Sequence, residues 1–263
     1  MARLTKGSID FTGSIGGVSA YKRRDMEGTI MRTKGGASKR KIKNSPSFER
    51  TRENNSEFAG RGRAAGRLRW ALTFVRHLAD YNFTSELSKL SGLMQEADKT
   101  NVKGERSILF SQHRDMLEGF RLNQKNPFDS VVRLPLKCEI SRETASAYVQ
   151  LPNLLPDINL YLPWKYPLFR FVISLQAVSD MHYNYPKLSQ KDTDSAPAEY
   201  TAWQTTSLPY AGERIDLQLQ DKSKLDDSWT FILAIGIEMG MPVSNTIVNT
   251  VKYVGCAKIL TLG

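Results

Sequence analysis

Phe169-Arg170-Phe171-Val172-Ile173-Ser174-Leu175-Gln176-Ala177 and the later Phe231-Ile232-Leu233-Ala234-Ile235-Gly236-Ile237 decide the fold. In the first, Phe169, Phe171, Ile173, Leu175 and Ala177 recur at every second position; in the second, Phe231, Leu233, Ile235 and Ile237 do. A period of two places those side chains on one face of an extended strand. The same period runs through Val132, Leu134, Leu136, Cys138 and Ile140, and through Ile215, Leu217 and Leu219. Weaker strands are expected near 145–151, 199–206 and 255–262. Seven strands with no helix between them predict an antiparallel β-sandwich over residues 127–263. The proline-bearing connection 152–167 and the polar loop 184–199 are long for hairpins and are expected to cross between sheets or reach a neighbour.

Upstream of this zone the period changes to 3.6. Ser45 is placed to cap a helix, with Pro46 at the position where a missing N–H is harmless. Residues 58, 62, 65, 68, 72, 75 and 79 (Phe, Gly, Ala, Leu, Leu, Val, Ala) form one stripe along it. Its first half carries almost no side-chain bulk: Ala59, Gly60, Gly62, Ala64, Ala65 and Gly66. An interior helical Gly costs about 1 kcal/mol relative to Ala. Gly60, Gly62 and Gly66 therefore require a compensation, and close approach of another backbone supplies one. Arg61, Arg63, Arg67 and Arg69 spread around the cylinder and suit carboxylates on neighbouring elements as well as phosphates. Two further helices are expected, Ser85–Ala97 behind a Thr84/Ser85 cap and Arg106–Phe120, with Asn126-Pro127 ending the helical region 45–126.

Residues 1–44 read as short strands broken by glycine turns: Ser8–Phe11, then Gly13, Gly16 and Gly17, then Val18–Tyr21 and Thr29–Arg32. The Gly cluster lacks the Lys-Ser/Thr ending of a phosphate-binding loop. Lys34, Lys39, Arg40, Lys41 and Lys43 then form an acid-free basic run, read as a solvated loop, a hinge, or a nucleic-acid or partner contact. The fold class is thus α+β: a basic Gly-rich strand arm (1–44), a helical region (45–126) and a β-sandwich domain (127–263).

Charge follows the same division. Residues 1–70 carry 17 Lys+Arg against 6 Asp+Glu, and residues 71–263 carry 20 against 21, so the net +10 of the chain resides in its first quarter. Such asymmetry suits an acidic partner or the protein's own neighbouring copies. There is no apolar run after the first basic residues and no membrane-span-length apolar stretch, which leads to an expectation of a cytoplasmic protein, or one exported without a cleaved signal.

Reaction chemistry finds no foothold. Cys138 and Cys256 are far apart with no C-x-x-C spacing; His77, His113 and His182 are isolated; no G-x-S-x-G elbow is present. Asp226-Asp227 and Asp192-x-Asp194 lack the Gly and distal Glu of a calcium loop and read as solvated turns. Tyr161, Trp164, Tyr166, Tyr183 and Tyr185 read as loop anchors or subunit contacts rather than a sugar platform. No enzyme, cofactor or metal is expected.

The segment Phe48-Glu49-Arg50-Thr51-Arg52-Glu53-Asn54-Asn55-Ser56-Glu57-Phe58, with Lys6-Gly7-x-Ile9 and Gly16-Gly17-x-Ser19-x-Tyr21, resembles a group of uncharacterised Bacteroidota proteins of similar length. The resemblance is strongest over residues 5–80 and includes a late strand like Phe231–Met239. It implies the domain order and carries no activity or site residue.

Two functions follow from the residues. The first is a self-assembling structural protein, a homo-oligomeric filament, tube or shell, with Gly60, Gly62, Ala65, Gly66, Tyr21 and Phe11 at the assembly interface. The second is a nucleic-acid-binding protein, capsid-like or nucleoid-associated, contacting phosphate through Lys39, Arg40, Lys41 and Lys43. The three glycines favour the first, because phosphate binding needs charge and does not need glycine.

Overall fold

The computed structural model describes residues 2–4, 11–23, 26, 28–33, 35–183, 193–221, 225–244 and 246–263. The expected strand residues Ser8 to Asp10, together with Lys6, Gly7, Lys34, Tyr185 and Asp192, lie outside them. The chain is α+β and divides into two compact units, residues 1–52 and 53–263. Among the described residues no helix is long and apolar enough to cross a membrane.

The first unit holds an antiparallel sheet of β1 (Ala2–Leu4), β2 (Gly13–Ile15), β3 (Val18–Lys22) and β4 (Thr29–Thr33), in the order β1-β4-β3-β2. Gly16, at φ 56°, makes the turn that pairs Ile15 with Val18. Among its described residues, Ala20 and Ile30 are the buried apolar ones. From Lys39 on the basic run is not a loop: Lys39–Asn44 form a short helix, α1, whose Lys41 N–H donates to Ser38 Oγ at 3.2 Å. Arg52 Nη1 then donates to the carbonyls of Ile42 (3.0 Å) and Ser45 (2.8 Å), satisfying acceptors that the end of α1 leaves open.

Helix α2 (Glu49–Ala71) follows a single 3-10 turn, Pro46–Phe48, and spans the division between the units. Ser45 does not cap it; its hydroxyl lies 2.9 Å from that of Ser47. Helix α3 (Thr84–Ala97) starts without a side-chain cap on Phe83. The expected helix Arg106–Phe120 does not form, and the segment holds two 3-10 turns, Phe110–Gln112 and Arg114–Met116. Its backbone bonds instead to the sheet: Ile108 exchanges both bonds with Met181, Leu122 N–H donates to Ala257, and Phe120 accepts from Ile259. Ser111 N–H and hydroxyl both donate to Asp180. These long-range bonds override the local helical period. A four-residue helix, α4 (Phe128–Val131), ends the zone.

The sheet region adds β5 (Lys137–Ser141), β6 (Ser146–Gln150), β7 (Leu168–Ser179), β8 (Thr193–Ser195), β9 (Glu199–Tyr200), β10 (Gln204–Thr205), β11 (Arg214–Gln218), β12 (Trp229–Pro242) and β13 (Val248–Leu262). Six of these form one antiparallel sheet along β10-β7-β12-β13, with β8 and β9 also on β7; the other three form a sheet in the order β11-β6-β5. The first expected strand is shorter than its alternating pattern and begins only at Lys137.

Strands β7 and β12 form the middle of the larger sheet. One face (Phe169, Phe171, Ile173, Leu175; Phe231, Leu233, Ile235, Ile237) shares a core with Val149 and Leu217 of the smaller sheet. The sequence pattern implies solvent on the other face, but Val172, Val178, Ile232, Ala234, Ala257 and Ile259 are buried there under α2 and α3. Helices and sheets of residues 53–263 therefore share one packed body rather than standing as separate layers of chain. Gly236 and Gly255 make this closeness workable. A Cβ on Gly236 would lie 2.5 Å from Leu78 Cδ1, and one on Gly255 would lie 2.8 Å from Leu78 Cδ2. Both cysteines are free, Cys256 fully buried in β13 and Cys138 half-buried in β5. Burial pushes the Cys256 thiol far above its ordinary range.

Candidate functional site

The inner face of α2 is fixed first by apolar contact. Ala64, Ala65, Leu68, Ala71 and Leu72 are buried against the sheet and α3, together with Val75 just beyond the helix. Two charged residues of α2 are buried as well, Glu57 and Arg67. Glu57 is 4% exposed and accepts from Arg106 Nε (2.6 Å), Arg106 Nη2 (2.7 Å) and Gly104 N–H (2.9 Å). The Arg106 hydrogen bond is the main reason its carboxyl stays below the ordinary carboxylate range in spite of burial. Gly104, at φ 93°, can lie against α2 because it has no side chain; a Cβ would be 2.9 Å from Glu53 Cβ. Arg61 ties α2 to α3 through Gln95 Oε1 (2.9 Å) and Glu96 (3.2 Å). The structure thus uses Arg61 on a carboxylate, while Arg67 donates to Ser179 and Asp180 carbonyls and Arg69 to the Thr84 hydroxyl.

With the inner face fixed, the outer face follows from the helical repeat. Phe58, Gly62, Gly66 and Trp70 succeed one another at steps of four and form a single row. All are exposed, Phe58 at 74% and Trp70 at 37%. A Cβ on Gly62 or Gly66 would meet no atom within 4 Å, so no described part of the chain makes the close approach expected there. Gly60 faces Gln95, whose Nε2 would be 3.3 Å from a Cβ. Ala65 is fully buried on the inner face. The nominated small residues therefore separate: Gly62 and Gly66 share the outer row, Gly60 flanks α3, and Ala65 belongs to the core. Phe11 and Tyr21 are half-buried in the first unit, where Arg32 lies over the Tyr21 ring at 5.6 Å.

The basic candidates are together. Lys39, Arg40, Lys41 and Lys43 are all exposed on α1, with Lys39, Arg40 and Lys43 within about 100° of one another around the axis and Lys41 on the other side.

One buried charge cluster was not legible in the sequence. Glu238, 3% exposed in the middle of apolar β12, meets His77 Nε2 at 2.8 Å and Arg170 at 2.7 and 2.8 Å. The Arg170 guanidinium lies 4.3 Å from the Tyr200 ring centre and 4.4 Å from that of Trp203. Burial pushes the Glu238 carboxyl up, but bonds from His77 and Arg170 outweigh it and hold it below the ordinary range. A lone Glu inside Phe231–Met239 signals a buried charge needing a partner; that its partners come from β7 and from residue 77 is invisible at sequence level. The pairing of His77 and Arg170 with Glu238 places two basic side chains against one buried carboxylate.

No protein-family model, no curated protein and no solved structure matches this chain.

Proposed function

We propose that this protein is a self-assembling structural protein whose copies join into a filament, tube or shell, with the outer row of α2 as a joining surface. The observation that supports the reading is the Phe58-Gly62-Gly66-Trp70 row. Each exposed glycine costs the helix about 1 kcal/mol against Ala, and an exposed Phe side chain forgoes about 2 kcal/mol of burial. A second copy laying its backbone over the two glycines, between the flanking aromatic rings, offsets both. The residues of the first unit act in this proposal as a basic strand-forming arm, Phe11 and Tyr21 included, reaching a neighbouring copy by edge-strand pairing. The two sheets of residues 127–263, facing one another as a β-sandwich, form the repeating body, in a role that is mechanical rather than catalytic and in the cytoplasm.

Light scattering and negative-stain microscopy over a concentration series test this. Particles far larger than the 29.7 kDa chain are expected. A monodisperse single-chain species at every concentration refutes the proposal.

A second reading has its own observation: four exposed cations on the six residues of α1. Here α1 would contact nucleic-acid phosphate. Nuclease-sensitive DNA or RNA co-purifying with the chain, and lost when Lys39, Arg40, Lys41 and Lys43 become Ala, would favour this reading over the first.

A further inference from the structure

A cavity of about 260 Å³ opens beside α2, away from the outer row. Its helical wall is Ser56, Gly60, Arg63 and Arg67, spaced at i, i+4, i+7 and i+11, which is one stripe of an α-helix. The facing wall is where β7 ends and β12 begins. Trp229 pairs with Ser179 there, Asp180 N–H donates to the Ser228 carbonyl at 2.9 Å, and Met181 bridges to Ile108. Gln95, Gly104, Arg106, His182 and Tyr183 also line it.

The polar groups on these walls differ in what they have left to give. Asp180, the carboxylate of the lining, accepts from Ser111 N–H at 2.9 Å and from its hydroxyl at 2.5 Å. Arg67 donates into the β7 terminus and is part of the framework. Arg106 directs Nε and Nη2 to Glu57, and its Nη1 has no hydrogen-bond partner among the described residues. Arg63 places Nε 3.3 Å from the Ala59 carbonyl, and neither of its terminal nitrogens is bonded to a described residue. Among the described residues of the lining, Arg106 is paired with Glu57 and Arg63 has no carboxylate partner, so Arg63 supplies positive charge to the wall. Ile108, Met181 and Trp229 supply an apolar part of the wall.

We infer that this cavity binds a small organic anion, a carboxylate or phosphate ester on an aromatic or aliphatic body. The anionic head meets the free nitrogens of Arg63 and Arg106 in charge-assisted hydrogen bonds, and the body covers Ile108, Met181 and Trp229. Size restricts the choice. The volume equals that of roughly nine waters at about 30 Å³ each, so the ligand has on the order of ten non-hydrogen atoms. A bare inorganic ion leaves the apolar wall wet, and a neutral hydrocarbon leaves the cations without a partner.

Calorimetric titration and thermal-shift measurement on the full chain, with benzoate, phenyl phosphate, inorganic phosphate and benzylamine as probes, test the inference. Saturable binding of benzoate or phenyl phosphate is expected, with inorganic phosphate and benzylamine each at least about tenfold weaker. Arg63→Glu should weaken the aromatic anions by at least about tenfold while leaving the ligand-free melting temperature unchanged, because Arg63 is exposed. Arg63→Ala, which introduces no repulsion, should fall between the two. Benzylamine binding as well as benzoate overturns the assignment of charge. Inorganic phosphate binding as well as phenyl phosphate overturns the apolar half. Undiminished anion affinity in Arg63→Glu, or no saturable binding up to about 10 mM, overturns the site itself.

Discussion

Replacing Gly62 and Gly66 together by Ala should make the single chain more stable, and replacing them by Leu should leave it stable while ending assembly. Neither glycine has a positive φ and neither has an atom within 4 Å of a built Cβ, so both side chains enter open space on a regular helix. Helix propensity then sets the magnitude, about 1 kcal/mol per Gly→Ala and slightly less for Gly→Leu. No described residue touches either position, and two Ala side chains at i, i+4 are too short to meet, so the Ala pair should gain about 2 kcal/mol in sum. For a body the size of residues 53–263 that corresponds to a rise of about 4–8 °C in Tm. Urea unfolding of dilute protein measures this, and light scattering at higher concentration measures assembly. The diagnostic result is opposition of sign: the Leu pair holds or raises single-chain stability and abolishes large particles, because its side chains keep two backbones apart. A less stable Ala pair would refute the claim that this face is free in the chain. Leu-pair particles of wild-type size would refute backbone contact at the row.

Three other outcomes are expected. Gly255→Ala should destabilise by more than about 3 kcal/mol, since φ is 139° and the new Cβ falls 2.1 Å from the Ile237 carbonyl oxygen; a urea midpoint within error of wild type would contradict this. The carboxyls of Glu57 and Glu238 are held below their ordinary value of 4.5, so the stability they contribute is complete above about pH 4.5 and lost as pH falls through the depressed values. Urea midpoints should therefore decline below about pH 4.5, and a flat profile down to about pH 3 would count against both ion pairs. If α1 binds nucleic acid through its four cations, log affinity should fall against log salt with a slope of about −3.6, whereas assembly through the α2 row should survive high salt; particles dispersed by salt would weigh against the row.

Much of the larger sheet was legible because strands β7 and β12 carry large apolar residues at every second position, and that spacing survives whatever packs on it. What covers each face was not legible. Val172, Ile232 and Ala234, the residues between the alternating ones, are apolar enough to be buried, and reading the alternation alone treats them as exposed. A strand buried on both faces reads as a near-continuous apolar run, which describes Phe231–Ile237 better than alternation does. The absent helix over Arg106–Phe120 has the converse cause. Its spacing of Leu109, His113, Met116, Leu117 and Phe120 is helical, but backbone bonds from Ile108, Phe120 and Leu122 to the sheet take the donors and acceptors a helix would use. Glu238 and Arg63 were legible only as residue types, because their partners and their cavity depend on contacts across tens of residues.

The small-residue run on α2 shows why composition alone could suggest an interface without placing it. Eight residues, 59–66, hold six small ones, and in composition they are equivalent. At about 100° per residue they cannot be equivalent in space. The side that carries Glu57, Ala64, Leu68, Ala71 and Val75 follows intervals of seven, four, three and four and is drawn against the sheet by its large members, so Ala64 and Ala65 are small because α2 lies close there. Gly62 and Gly66 lie off that side, in line with Phe58 and Trp70, where no described residue comes within 4 Å of a built Cβ. The first pair is explained by the fold. The second pair meets no described residue, and a feature that weakens its own helix without such a contact is the one to test first for a role between molecules.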